Sequence, residues 1–162
     1  MWPRVDGLRT IPLGTPGRMR ALLNGLVLAG AKQATAGLME LDYRAESEPL
    51  EHLGERLVIV DDDGGRVAEV EVTGVEVLPF AAVPWEFALA EGEGYASIDD
   101  WREVHRRYWL AEGYEVDDSS EVVCLHFRLI DPRRAAPAAD DGAAQNDVMP
   151  RPSNTIEADA TL

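Results

Sequence analysis

The sequence predicts an α+β domain, a small barrel of mixed or antiparallel strands flanked by helices, followed by a disordered C-terminal tail. Three observations carry that expectation. An apolar stretch at helical spacing opens the chain, β-rich runs with two-residue alternation follow, and a second helical stretch separates these from a last β-rich run at residues 122–130. Apolar residues make up 46% of the 162 positions, enough for a core without a disulfide or metal staple. From Asp131 onward the composition shifts to Ala, Pro, Asp and Asn with no periodicity. The expected organisation is therefore an N-terminal arm over residues 1–16, one domain over 17–130 and a disordered tail over 131–162.

Element by element, the arm reads as irregular or weakly extended. Thr15 is a suitable N-cap and Pro16 a suitable first helical residue. Met19, Leu22, Leu23 and Leu26 then recur on one helical face, and Gly30 closes the helix. Residues 33–43 lead into a loop and strand, residues 46–54 form a polar loop, and residues 56–60 form a strand. Residues 61–65, rich in Asp and Gly, form a hairpin turn. In the strand at residues 67–77 the alternation slips by one residue around Thr73 and Gly74, which predicts a β-bulge. Residues 84–90 form a short helix, and residues 91–95 an acidic glycine loop. Ser97, with Asp100 three residues on, caps a helix carrying Trp101, Val104, His105, Tyr108 and Trp109 on one face.

Charge restricts the partners. The net charge is −15, and acids outnumber bases two to one. Tight binding to long duplex nucleic acid depends on a basic face and counterion release, so that class is excluded in favour of a small ligand or a short single strand. The single cysteine, Cys124, lies in an apolar run and reads as a buried, inert thiol. The histidines His52, His105 and His126 lack metal-ligand spacing, so neither a metal nor a cofactor is expected. No Gly-x-Gly-x-x-Gly, phosphate-binding loop or nucleophile elbow occurs. With no apolar segment long enough to span a bilayer, the expected location is the cytoplasm.

Fourteen arginines accompany one lysine, Lys32. Arginine replaces lysine at most solvated positions, but not where a compact amine is required. Lys32 and Thr35 lie three residues apart just after the helix-ending glycine, close enough to face one cavity. An amine kept dry beside a hydroxyl makes a nucleophile and base pair. The plainer reading is a cation at a helix C-terminus and a threonine opening a strand. Glu91 and Glu93 in the acidic loop supply a general acid or a partner for Lys32, or else a solvated surface loop. Trp101 offers a stacking ring or a core residue, and Arg102 a phosphate contact or a surface ion pair.

Taken together, these pieces resemble the ASCH domain family of the PUA-like superfamily. Gly30-Ala31-Lys32-Gln33-Ala34-Thr35 looks like the family's G-x-K-x-x-T motif, and residues 38–50, with Tyr43 and Glu48-Pro49-Leu50, like the segment after it. Residues 75–80, 90–105 and 122–128 resemble its strand end, its acidic loop with helix, and its closing strand. The resemblance implies a PUA-like barrel with a cleft beside the motif, Lys32 at its mouth, and a role in RNA metabolism. Small bacterial members remove the acetyl group from acetylcytidine, whereas others cut RNA or only bind it. On that pattern Lys32 is the base, Thr35 the nucleophile and Glu93 the proton donor, with Glu91 the alternative donor. Tyr43, Glu91, Trp101 and Arg102 would contact the substrate. The chain departs from the small amidohydrolases at Gly37, where they carry arginine. The expected function is thus a hydrolase acting on a modified nucleoside or short single-stranded RNA, with a non-catalytic base reader as the alternative.

Overall fold

Alternating small and β-branched residues from Arg66 to Pro79 make the longest strand of the molecule, and the sheet assembles around it. The computed structural model describes residues 1–130, so the disorder expected for residues 131–162 lies outside the described residues. Six strands occur in chain order: β1 (Arg4–Val5), β2 (Leu8–Ile11), β3 (Ala34–Leu38), β4 (Arg56–Val60), β5 (Arg66–Pro79) and β6 (Glu121–Leu129). Helix α1 (Arg18–Leu28) connects β2 to β3, and α2 (Trp85–Glu91) and α3 (Ile98–Ala111) connect β5 to β6. A π-helical turn over Met39–Arg44 follows β3.

The hydrogen-bonded order is β1-β2-β4-β5-β6-β3. The β2–β4 pair is parallel and the other pairs are antiparallel. The α+β class is as expected, but the sheet is open: among the described residues no ladder joins the edge strands β1 and β3. The outward backbone groups of β3 are taken by side chains instead of a further strand. Ala34 O accepts from Lys32, while the amides of Ala36 and Leu38 donate to Glu91 and Asp42. Edge strands left bare invite pairing with other chains, and side-chain capping of this kind removes the invitation.

The bulge falls where the alternation slips. Val72 pairs with Phe127 and Gly74 with His126, leaving Thr73 as the extra residue. The arm is more ordered than expected, because it supplies β1 and β2 and so belongs to the sheet. Helix α1 starts later than expected, with Gly17 at its N-cap and no side-chain cap. The Thr15 hydroxyl turns to Met19 Sδ instead, 3.6 Å away. Ser97 caps α3 as expected, accepting from the Asp100 amide at 3.0 Å.

Each face of the sheet carries its own core. Leu23 and Val27 of α1 pack on Leu57, Ile59, Val70, Val72, Leu125 and Phe127. On the other side Phe87 of α2 and Trp101 and Trp109 of α3 pack on Leu38, Phe80, Val122 and Cys124. Phe80 lies 5.7 Å from the Trp101 ring and 6.1 Å from the Trp109 ring. Aromatic pairs at such separations contribute about 0.5–1.5 kcal/mol each beyond their burial. This second core fixes the junction between α2 and α3, and the site forms there. Among the described residues, no helix is long and apolar enough to cross a membrane.

Candidate functional site

Lys32 is placed by what precedes it. Gly30, at φ +75°, ends α1 in the left-handed region, and the amides of Ala31 and Lys32 both bond back to Leu26 O at 3.0 and 3.1 Å. The chain then turns into β3, and the Gln33 amide bonds to Ala90 O of α2 at 2.8 Å. On the other side Gly92 caps α2 at φ +66°. A β-carbon on Gly92 would lie 2.0 Å from Ala31 O. That close approach, open to glycine alone, lays the Glu91-Gly92-Glu93 segment directly on the Lys32 turn.

The result is a buried charge cluster. Lys32 is 2% exposed, and its Nζ donates to Ala34 O at 2.7 Å and to Glu93 Oε2 at 2.8 Å. Glu91 Oε1 lies 3.7 Å from the same ammonium. Glu91 belongs to the last turn of α2 rather than to the loop, and it is 1% exposed. Its Oε1 accepts from the Ala36 amide at 3.1 Å, and its Oε2 accepts from the Trp101 indole N–H. Burial pushes the Glu91 carboxyl up to about 7, against the pull of Lys32. His105 Nε2 sits 3.6 Å from Glu91 Oε2, yet burial outweighs its charged neighbours and lowers the imidazole to about 4. Burial, and then the Glu93 charge, raises the Tyr95 phenol far above its ordinary value.

The structure therefore brings Lys32, Glu91, Glu93 and Trp101 together and places Thr35, Tyr43 and Arg102 elsewhere. Lys32 is sealed beneath Glu93 and does not stand at the mouth of a cleft. Thr35 is half-buried on β3 and pairs with Leu125, which puts its side chain on the α1 face of the sheet. Its hydroxyl makes no hydrogen bond to Lys32 or Glu93 among the described residues. Tyr43 is buried, and its hydroxyl donates to both oxygens of Glu51 at 3.0 Å. Its ring fills the space beside Gly37, where a β-carbon would meet Tyr43 Cε2 at 3.2 Å. Trp101 is fully buried, so its ring presents no face for stacking on a base. The Arg102 guanidinium is tied to Ala81 O and Val83 O at 3.0 and 3.1 Å. An open groove of about 570 Å³ lies elsewhere, lined by Arg4, Leu8, Arg9, Glu48, His52 and Arg56 among others.

Two roles escape a reading of the sequence. His105 faces Glu91, and Trp101 is a donor to Glu91 instead of a stacking surface. The available signal was the position of Glu91 on α2, three and four residues after Ala88 and Phe87. A carboxylate on the buried face of a short helix has to meet donors from the helix packed against it.

An open mixed sheet covered on both faces by helices, with a lone lysine buried among glutamates at one edge, defines a PUA-like α+β domain. The chain belongs to the ASCH domain family, whose family model matches residues 10–131. A crystal structure from Enterococcus faecalis V583 is 28% identical, with a TM-score of 0.66 over 75% of this chain and 76% of that one. The ASCH domain from Lactobacillus crispatus JV V101 is 27% identical, with a TM-score of 0.64 over 74% and 77%. A comparison with curated proteins finds no match. The roles of the ASCH family are generally RNA-related.

Proposed function

We propose that this ASCH domain is a hydrolase of RNA metabolism that acts on a modified nucleoside or short single-stranded RNA through Lys32, Thr35 and Glu93. The observation that carries the reading is the buried Lys32–Glu93 contact of 2.8 Å, with the motif threonine three residues further along the chain. In a dry site, passing one proton from the ammonium to the Glu93 carboxylate yields a neutral amine and a neutral acid, the two partners that amide or ester hydrolysis needs. The amine then takes a proton from Thr35 or from water, and Glu93 returns one to the leaving group. Since Lys32 is sealed, substrate entry requires the Glu93 segment to lift. The net charge of −15 supports a small or single-stranded partner over a long duplex.

The test is incubation of purified protein with acetylcytidine and with short single-stranded RNA. Turnover that disappears in Lys32→Ala and falls at least tenfold in Thr35→Ala supports the reading. Absence of turnover on both, or a Lys32→Ala variant as active as the parent, overturns it. A second reading, a non-catalytic reader of RNA bases, draws on the hydrogen bonds by which Lys32 and Glu91 hold the edge of β3. Binding without turnover, weakening as salt rises, supports that alternative.

A further inference from the structure

Behind Lys32, three buried groups face one another in an arrangement that the proposed hydrolysis does not use: Glu91, Trp101 and His105. The His105 ring stacks on Trp101 with centroids 4.0 Å apart, and its Nδ1 lies 2.8 Å from Trp101 O. A carbonyl oxygen only accepts, so the imidazole proton sits on Nδ1 and Nε2 keeps its lone pair. That lone pair faces Glu91 Oε2 at 3.6 Å.

We propose that His105 is a positioning residue that holds Glu91 as a neutral carboxylic acid, with the Glu91 proton on Oε2 directed at His105 Nε2. Charge counting leads there first. The titratable groups facing Glu91 are Lys32, Glu93 and Tyr95 from the flanking loops, His105 from α3 and Cys124 from β6. With Tyr95, His105 and Cys124 neutral, two ionised glutamates would leave one buried ammonium facing an excess negative charge. A proton on one carboxyl restores balance, and Glu93 already holds the ammonium at the shorter distance, 2.8 Å against 3.7 Å for Glu91.

The choice of oxygen follows from the donors around Glu91. Oε1 faces the Ala36 amide and the Lys32 ammonium, both donors, so a proton there would meet another hydrogen. Oε2 faces the Trp101 donor and the one acceptor of the set, His105 Nε2. The present 3.6 Å is longer than a hydrogen bond, and closure by less than about 1 Å brings the pair into range. Burial disfavours the charged form of both groups, raising the carboxyl and lowering the imidazole, so one proton shared between them rests on Glu91. Loss of that proton in mild alkali leaves a second carboxylate competing with Glu93 for Lys32. The arrangement concerns the charge state of the cluster and holds whether or not Lys32 turns over a substrate.

The test uses the full chain labelled with ¹⁵N in histidine, followed by long-range proton–nitrogen correlation from pH 5.5 to 8.5. The expected result for His105 is a protonated Nδ1 and an unprotonated Nε2 throughout, with a shift in Nε2 that inflects near pH 7. Glu91→Gln, which mimics the neutral acid, should abolish the inflection. An imidazolium at pH 6, a proton on Nε2, or an inflection that survives Glu91→Gln overturns the proposal. The Glu91 carboxyl carbon in the unaltered protein gives an independent answer. A ¹³C titration midpoint near 7 supports the proposal, and one below 5 overturns it.

Discussion

Gly92 meets Ala31 so closely that a β-carbon on the glycine would lie 2.0 Å from the alanine carbonyl oxygen. The obstructing atom is backbone, which cannot swing aside as a side chain can. This contact determines how the carboxylate segment rests on the lysine turn.

Gly92→Ala should therefore destabilise the domain by more than about 1 kcal/mol, because alanine is strained at positive φ even before the clash is counted. Chemical denaturation measures the loss. The same substitution at Gly94, also at positive φ but with open space around it, should cost less. Equal losses at the two positions would show that backbone strain alone matters and that the Ala31 contact does not.

Lys32 is the cation of a buried cluster, so removing it strands the Glu93 carboxylate away from its partner. Lys32→Met should cost about 3–5 kcal/mol, the usual penalty for breaking a buried ion pair from one side. Adding Glu93→Gln should return part of that loss, since no anion then remains at the position nearest the missing amine. A double-mutant cycle by thermal or chemical denaturation measures the coupling. Strict additivity of the two changes would contradict the burial of this pair.

The sequence made the scaffold readable where local chemistry decides structure. The bulge at Thr73 and Gly74, the Ser97 cap and the hairpin of residues 61–65 all follow from residue type and spacing. The site was legible in part. A lone lysine in an arginine-rich chain pointed to Lys32, and the acidic segment pointed to its partners. What stayed hidden was set by long-range packing. Trp101 and His105 share a helical face that could equally meet solvent, ligand or core, and it was α2 that turned this face inward. The open edge at β3 was hidden in part for the same reason, because nothing in residues 34–38 announces that Glu91, 55 positions after Ala36, would take the Ala36 amide.

Cys124 is 1% exposed on β6, and burial raises its thiol to about 12. The thiolate is the reactive form, so the folded protein should resist an aromatic disulfide reagent at pH 8. Full labelling is expected only in denaturant, with a midpoint that matches loss of the fold. Rapid labelling of the native protein would place the thiol at the surface and contradict the core described for this face.

Stability against pH should expose the Glu91–His105 pair through two opposed slopes. The Glu91 carboxyl is raised to about 7 in the folded state, so between its ordinary value and 7 the folded protein binds a proton that the unfolded chain has released. That group contributes stability below its unfolded value and loses it as pH rises through 7. His105 is lowered to about 4, so from there to its ordinary value the unfolded chain holds the extra proton, and stability rises with pH. Across the shared window the two proton counts cancel, and the pair adds almost no slope to the parent protein. Each single substitution should uncover the other group. Glu91→Gln leaves the histidine alone, and its stability relative to the parent should climb between pH 4.5 and 6.5. His105→Gln leaves the carboxyl alone, and its relative stability should fall over the same range. Each slope is at most about 1.4 kcal/mol per pH unit. Urea denaturation at half-unit intervals measures both, and two variants with slopes of the same sign would contradict a proton shared between these residues.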